Sequence, residues 1–182
     1  MHKRYLAFLD TETTGLDPAI HEIIQIGGVI VKQILTDGKV TFEVVDEFEY
    51  KVKPENIVQA DKVALRVNGY DEADWVFAYT LTEAMTMLAE KTKDCIMVAH
   101  NAHFDLNFFD AAWKKTGIAN PMHYYAIDTI SVAFTKLQGK SEIEKLSLRA
   151  LSEYFGLENK NAHTALSDAR TTFELYKKLM LL

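Results

Sequence analysis

The sequence predicts an α/β fold with a mixed sheet, and three observations carry that expectation. Segments rich in β-branched and aromatic residues open the chain, and an Asp-Gly turn signal separates the second from the third. Later apolar runs are short and alternate with stretches of helical spacing. Hydrophobic residues make up 48% of the 182 residues, enough to bury one sizeable core, and no linker-like stretch divides them, so one domain spanning residues 1–182 is expected.

Tyr5 to Asp10 reads as a buried strand, and Glu22 to Lys32 as a second with Gly27-Gly28 in its middle, a pair that suggests a bulge or close packing. Thr36-Asp37-Gly38-Lys39 then turns the chain into Val40 to Val52, which predicts an antiparallel hairpin. After Pro54 the pattern becomes helical: Ala60 to Val67, closed by Asn68-Gly69, and Leu81 to Lys91, with Leu81, Ala84, Met85 and Leu88 on one face. Ile96 to Ala99 is a short buried strand. From Phe104 a helix runs until Lys114-Lys115-Thr116-Gly117, where basic residues and glycine mark a C-terminus. Tyr124 to Ile127 is the fifth strand, with Asp128 capping a helix to Leu137. Ser147 to Phe155 and Ala165 to Leu179 complete the helices. The two tryptophans, Trp75 and Trp113, are expected to pack, with a groove position for Trp75 the lesser reading.

The chain carries 26 acidic against 20 basic residues, a net charge of −6, which argues against a protein that coats long duplexes by neutralising many phosphates. It does not exclude an enzyme that grips one terminus, because bound cations offset metal-site carboxylates locally. The first apolar stretch ends at Asp10, too short for a signal-peptide core or a membrane span, so a cytoplasmic protein without membrane association is expected. Cys95, the single cysteine, precedes apolar Ile96-Met97-Val98 and reads as a buried core residue.

Three acidic segments carry the chemistry. Asp10-Thr11-Glu12 stands at the carboxyl end of the first strand, where side chains two apart share a face, and two converging carboxylates suit a hard cation such as Mg²⁺ or Mn²⁺. Alone, this pair followed by Thr13-Thr14-Gly15 also reads as a polar turn. His100-Asn101-Ala102-His103-Phe104-Asp105 follows another strand end, where open α/β sheets place ligands, and helix-dipole pairing of Asp105 is the bland alternative. His163-Thr164-Ala165-Leu166-Ser167-Asp168 opens the last helix. Five residues within one helix would separate two side chains by about 140°. For both to face one site, His163 belongs in the preceding loop, Thr164 at the N-cap and Asp168 one turn inside.

Together the three segments resemble the motifs of the DnaQ-like superfamily, the DEDD 3′-to-5′ exonucleases, and span residues 10 to 168 in the family's order. A second subfamily places tyrosine four residues before the last aspartate. Here that position is Thr164, so the histidine form (DEDDh) is favoured. The resemblance implies a ribonuclease H-like fold with a mixed five-stranded sheet, two divalent cations (Mg²⁺ or Mn²⁺), and hydrolysis of terminal phosphodiesters to nucleoside 5′-monophosphates. It implies Asp10, Glu12 and Asp168 directly on metal, with Asp10 bridging, and Asp105 completing the second site directly or through water. His163 is implied as the general base, and an imidazole with a reference pKa of about 6.5 suits that task near neutral pH. Thr13, Gly15 and Leu16 would hold the terminal nucleotide and its 3′-hydroxyl, with Leu16 and Phe104 against the base. His100 and Asn101 match the pattern as substrate-side residues, Asn101 with a turn-forming role open beside it. His103 is expected to face solvent or support a ligand from behind.

Lys136, Lys140, Lys145 and Arg149 precede the third segment, but Glu142 and Glu144 interleave with them, which favours a solvated mixed surface over a basic track. The leading expectation is a DNA exonuclease of the proofreading type acting on single-stranded or frayed 3′ ends, alone or as a polymerase subunit. An RNA 3′-end trimming enzyme or oligoribonuclease stays open, since the same motifs serve both sugars. A non-catalytic module that binds a polymerase is the reading from another class, disfavoured by the intact motif positions. The chain reaches Leu182 soon after the last helix, which weighs against a fixed subunit with a long binding tail. Oligomeric state is left open.

Overall fold

Leu6 to Leu9 are all buried, as befits a strand with neighbours on both edges and helices on both faces. In the computed structural model, which describes residues 4–157 and 164–182, these residues open the central strand β1 (Leu6–Thr13). β2 (Ile23–Thr36) and β3 (Lys39–Lys51) follow as a long hairpin. Its turn residues Asp37 and Gly38 both have positive φ, 51° and 77°, the conformation a two-residue turn needs to match strand twist. α1 (Lys62–Val67), α2 (Leu81–Thr92), β4 (Ile96–Ala99), α3 (Ala102–Thr116), β5 (Ala126–Asp128), α4 (Thr129–Lys136), α5 (Leu148–Phe155) and α6 (Ala165–Met180) complete the order, with short 3-10 turns at Ile57–Gln59 and Glu72–Trp75. The sheet runs β3-β2-β1-β4-β5; the first three strands are antiparallel, and β4 and β5 lie parallel to β1.

Strand alternation divides the core. Ala7, Leu9, Ile26, Ile30, Met97 and Ala99 face one layer, where α2 contributes Met85 and Leu88 and α3 contributes Phe108, Phe109 and Trp113. Leu6, Phe8, Val29, Val31, Ile96 and Val98 face the other, covered by Ala169, Phe173 and Tyr176 of α6. The Phe8 ring lies 4.9 Å from Phe173 and 5.5 Å from Tyr176. A fully buried side chain of this size stabilises by roughly 1.5–3 kcal/mol. α4 and α5 pack through Ala133, Leu137 and Leu151 against Leu175 and Leu179 of α6. Among the described residues no helix is long and apolar enough to cross a membrane.

Several boundaries differ from the sequence expectation, each for a local reason. β1 does not end at Asp10, because β2 goes on pairing with Thr11 and Glu12. α3 begins at Ala102, two residues before Phe104, since Asn101 takes a left-handed conformation (φ 66°) that starts the helix. β5 begins at Ala126 and reaches Asp128, which both ends the strand and caps α4 by accepting from the Ile130 N–H. α1 starts at Lys62, with Asp61 rather than Ala60 before it, as Asp61 accepts from Val63 N. Trp75 is buried and donates from Nε1 to Ile24 O at 2.9 Å, the packing role.

The glycine pair marks close packing rather than a bulge, since the β2–β3 register shift lies further on, between Ile30 and Val31. A Cβ on Gly28 would meet the Phe48 ring at 2.2 Å. One on Gly27 would lie 2.1 Å from the backbone of Ala165 and Leu166, where the first turn of α6 crosses β2. Backbone yields less readily than a ring, so Gly27→Ala is expected to cost about 1–3 kcal/mol or more, read as a lower urea midpoint with unchanged slope.

Candidate active site

β1 carries Asp10 and Glu12 on the face that α6 covers, in phase with Leu6 and Phe8. β4 pairs with β1 only as far as Phe8↔Val98, so the later part of β1 loses its neighbour on that edge. The start of α3 fills the gap. Buried Asp105 accepts through Oδ1 from Thr11 N at 2.9 Å and from Thr11 Oγ1 at 2.8 Å, standing in for the missing ladder acceptor.

Asp168 arrives on the first turn of α6, its amide donating to Thr164 O at 3.0 Å. The strands hold that turn. Ala165 N donates to Gln25 Oε1 at 3.0 Å and Leu166 N to Glu49 Oε1 at 3.2 Å, so two amides that the helix cannot satisfy itself are capped from β2 and β3. One turn on, Arg170 forms an ion pair with Glu47. In the β1–β2 register Glu12 pairs with Gln25 and Asp10 with Gly27, so the anchors of α6 lie directly beside the carboxylates of β1.

The result is a cluster in which Asp10, Glu12 and Asp168 each offer a carboxylate oxygen, all within 4.8 Å of one another. Asp105 stands outside that trio but close enough for its charge to act on Asp10 and Glu12. Burial first, then the charges of Asp105, Asp168 and Glu12, push Asp10 well above the usual carboxylate range. Burial, followed by the charges of Asp168 and Asp105, raises Glu12 to about 8. Burial lifts Asp105 to about 7 against the opposing hydrogen bonds from Thr11. Crowded, partly desolvated carboxylates of this kind are completed by a hard divalent cation, whose charge offsets their repulsion.

The remaining expected residues are distributed around this cluster. Thr13 is buried and donates from Oγ1 to Gly15 O at 2.6 Å, while Thr14 and Glu22 close the loop that follows with a reciprocal pair of hydrogen bonds at 2.8 Å. Gly15 lies so close to the His21 ring that a Cβ would be 2.4 Å from it, and Leu16 is 78% exposed. Phe104 is half-buried against Phe108, ring centroids 4.9 Å apart. Asn101 forms the turn into α3, its N–H donating to Asp128 Oδ1 at 3.0 Å. His103 is exposed and meets Asn107. His163 lies outside the described residues.

His100 departs from a substrate-facing placement, because both ring nitrogens are engaged within the fold. Nε2 lies 2.9 Å from Leu146 O, which can only accept, so Nε2 carries the proton, and Nδ1 lies 2.8 Å from Thr129 Oγ1, a hydroxyl that also reaches Ala99 O at 3.3 Å. Burial pulls its pKa below the ordinary imidazole value. His100 thus ties the end of β4 to α4 and to the segment before α5.

Residues that the sequence reading passed over do much of the positioning. Thr11, a threonine that faces the α3 layer from an apolar strand, holds Asp105 and carries a readable signal of a buried polar contact. Gln25 stands out likewise as a buried amide in an apolar strand. Glu49, on an exposed edge strand, carries no such mark.

With this geometry in place, the family profile described as Exonuclease (RNase_T) matches residues 7–176. The chain belongs to that exonuclease family. It is 30% identical over 171 residues to the DNA polymerase III PolC-type protein of Caldanaerobacter subterraneus subsp. tengcongensis and 31% identical over 172 residues to that of Thermotoga petrophila. Those alignments cover 94% of this chain but only 11% and 12% of the relatives. Among solved folds, E. coli Exonuclease I in complex with a dT13 oligonucleotide superposes with a TM-score of 0.75 at 15% identity, over 98% of this chain and 41% of that one. The nuclease domain of 3′hExo, a DEDDh family member bound to rAMP, superposes with a TM-score of 0.74 at 17% identity, over 97% and 92%. The exonuclease fold is therefore the α/β, ribonuclease H-like architecture that the sequence predicts.

Two outcomes follow for this exonuclease domain. Glu12 and Asp105 have folded pKa values above their unfolded ones, so their contribution to stability is full below about pH 4 and is lost as pH rises through about 7 to 8. Chelated protein should therefore melt at a lower temperature at pH 8 than at pH 6, and added Mn²⁺ should raise Tm more at pH 8. Thr11→Val, which removes the hydroxyl donor to Asp105, should weaken metal affinity or activity by about 10–100-fold, measured by metal titration.

Proposed function

We propose that the protein is a metal-dependent 3′-to-5′ exonuclease that removes nucleoside 5′-monophosphates from single-stranded or frayed 3′ ends of DNA. The observation that carries this reading is the convergence of Asp10, Glu12 and Asp168 from two elements onto one point, in a chain of the exonuclease family. The donor set is all oxygen, partly buried and crowded, which fits Mg²⁺ or Mn²⁺. Asp10, Glu12 and Asp168 would hold the cations, with Asp105 as a further carboxylate beside them. Two such cations, when bound, stabilise the attacking and leaving oxygens of an in-line displacement.

The chain's own residues supply position and proton transfer. Thr11 fixes Asp105, and Gln25, Glu49 and Gly27 fix the start of α6, so the acids are held in place before substrate arrives. The Thr13–Leu16 loop and Phe104 would grip the terminal sugar and base, a contact that reads little sequence. His163, five residues before Asp168, would accept the proton of the attacking water.

The PolC-type relatives support DNA as substrate and association with a polymerase as a proofreading module, and an enzyme with that task would work in the cytoplasm. RNA 3′-end trimming is the second reading. It is favoured by the likeness to the 3′hExo nuclease domain bound to rAMP, which this chain matches over 92% of that domain's length.

End-labelled single-stranded DNA, duplex with a mismatched 3′ end and short RNA, each with Mg²⁺, Mn²⁺ or chelator, test the proposal. Mononucleotides should appear only with metal, and fastest from single-stranded or mismatched DNA ends; release from none of them would refute the activity. Asp10→Ala should abolish turnover. His163→Ala should lower it by about 10²–10⁴-fold while metal still binds, and full activity in that variant would remove the base from His163.

A further inference from the structure

At the end of the sheet away from the acids, a groove of about 1610 Å³ runs from the β2–β3 hairpin to the segment before β5. The first residues of β1, β4 and β5, namely Leu6, Ile96 and Ala126, form part of its wall. Asp10 lies four residues further along β1, roughly 13 Å away along the strand.

The lining is unlike the rest of this acidic chain. Arg4, Lys39 and Lys177 contribute to it, and no aspartate or glutamate is among its described lining residues. Arg4 pairs with Asp94 at 3.5 Å and Lys177 with Glu174 at 2.6 Å, but both pairs are solvent-exposed, and such pairs contribute little and leave the cation open to a phosphate.

An aromatic platform faces these cations. His123, Tyr124 and Tyr125 cluster with ring centroids 4.3–4.6 Å apart, His123 stacked on Tyr124 and the Tyr125 ring tilted against both. Tyr124 is 82% exposed and Tyr125 50% exposed. Adjacent exposed rings are an unusual surface for a protein to present to water, and beside cations they match the two demands of a single strand: a stacking partner for bases and a counter-charge for phosphates. β5 links this platform to the acid cluster. Tyr125 is three residues from Asp128, roughly 10 Å of extended chain, and Asp128 Oδ1 receives the Asn101 and Ala102 amides that open the helix bearing Asp105.

We propose that this groove binds the single-stranded nucleic acid extending upstream from the terminal nucleotide, with Tyr124 and Tyr125 stacking its bases and Lys39, Lys177 and Arg4 on its phosphates. The proposal rests on the exonuclease reading above and adds a second contact zone to it. It makes the enzyme sensitive to substrate length at a distance from the reacting bond.

The test compares steady-state hydrolysis of an oligothymidylate of about three nucleotides with one of about fifteen, in the wild type, Tyr124→Ser/Tyr125→Ser and Lys39→Ala. KM for the long substrate should rise about tenfold or more in the double variant, with kcat and all parameters for the short substrate unchanged. Lys39→Ala should lower the salt slope of long-substrate binding by about 1. An unchanged long-substrate KM in the double variant together with an unchanged slope in Lys39→Ala overturns the groove assignment. So does loss of self-association in the variants with nucleic-acid binding intact, which would make a second copy the occupant. Should the wild type hydrolyse neither substrate, the exonuclease reading fails separately. Equilibrium binding of the long oligonucleotide under chelator then decides the groove, weaker binding in the variants supporting it and equal binding refuting it. If the double variant melts below assay temperature, Lys39→Ala decides alone.

Discussion

The close crossing of α6 over β2 at Gly27 sets the rest of the structure. Because Gly27 has no side chain, the backbone of Ala165 and Leu166 settles directly onto the strand, in the space a Cβ would fill. Gly27 is the register partner of Asp10, so the same contact that packs the helix also brings its first turn beside the first acid of the cluster. Gln25 and Glu49 then cap the amides of that turn, and below it Phe173 and Tyr176 close the apolar layer over Phe8. Folding energy and site geometry are one constraint here.

That constraint explains how the fold keeps the carboxylates of Asp10, Glu12 and Asp168 together. Burial, joined at Asp10 and Glu12 by the neighbouring negative charges, favours protonation and pushes Asp10, Glu12 and Asp105 above the usual carboxylate range. The cost is carried by interactions outside the cluster: aromatic packing beneath α6, the Arg170–Glu47 ion pair, and the Thr11 hydrogen bonds to Asp105. A preorganised acidic site is unstable by itself and suited to a cation for the same electrostatic reason.

Asp105 differs from its companions in origin. It comes from the opposite layer, through the gap left where β4 stops pairing with β1. Its carboxylate completes a backbone ladder as well as facing the cluster, so it lies outside the tight trio of Asp10, Glu12 and Asp168. The four acids are thus one trio on the α6 face and one support from the α3 side.

Much of this was legible in the sequence. Strand periodicity, the Asp-Gly turn and the alternation of short apolar runs with helical spacing determined the α/β architecture, because each is a local property of neighbouring residues. The step of two between Asp10 and Glu12 placed both on one face for the same reason. The order of motifs named the acids, with His163 left outside the described residues. What only the tertiary structure decided were relations between segments distant along the chain: that Gly27 admits α6, that Gln25 and Glu49 cap it, that Thr11 holds Asp105, and that His100 spends both nitrogens on Thr129 and Leu146. No local pattern encodes such contacts, since each depends on where two separately formed elements come to rest.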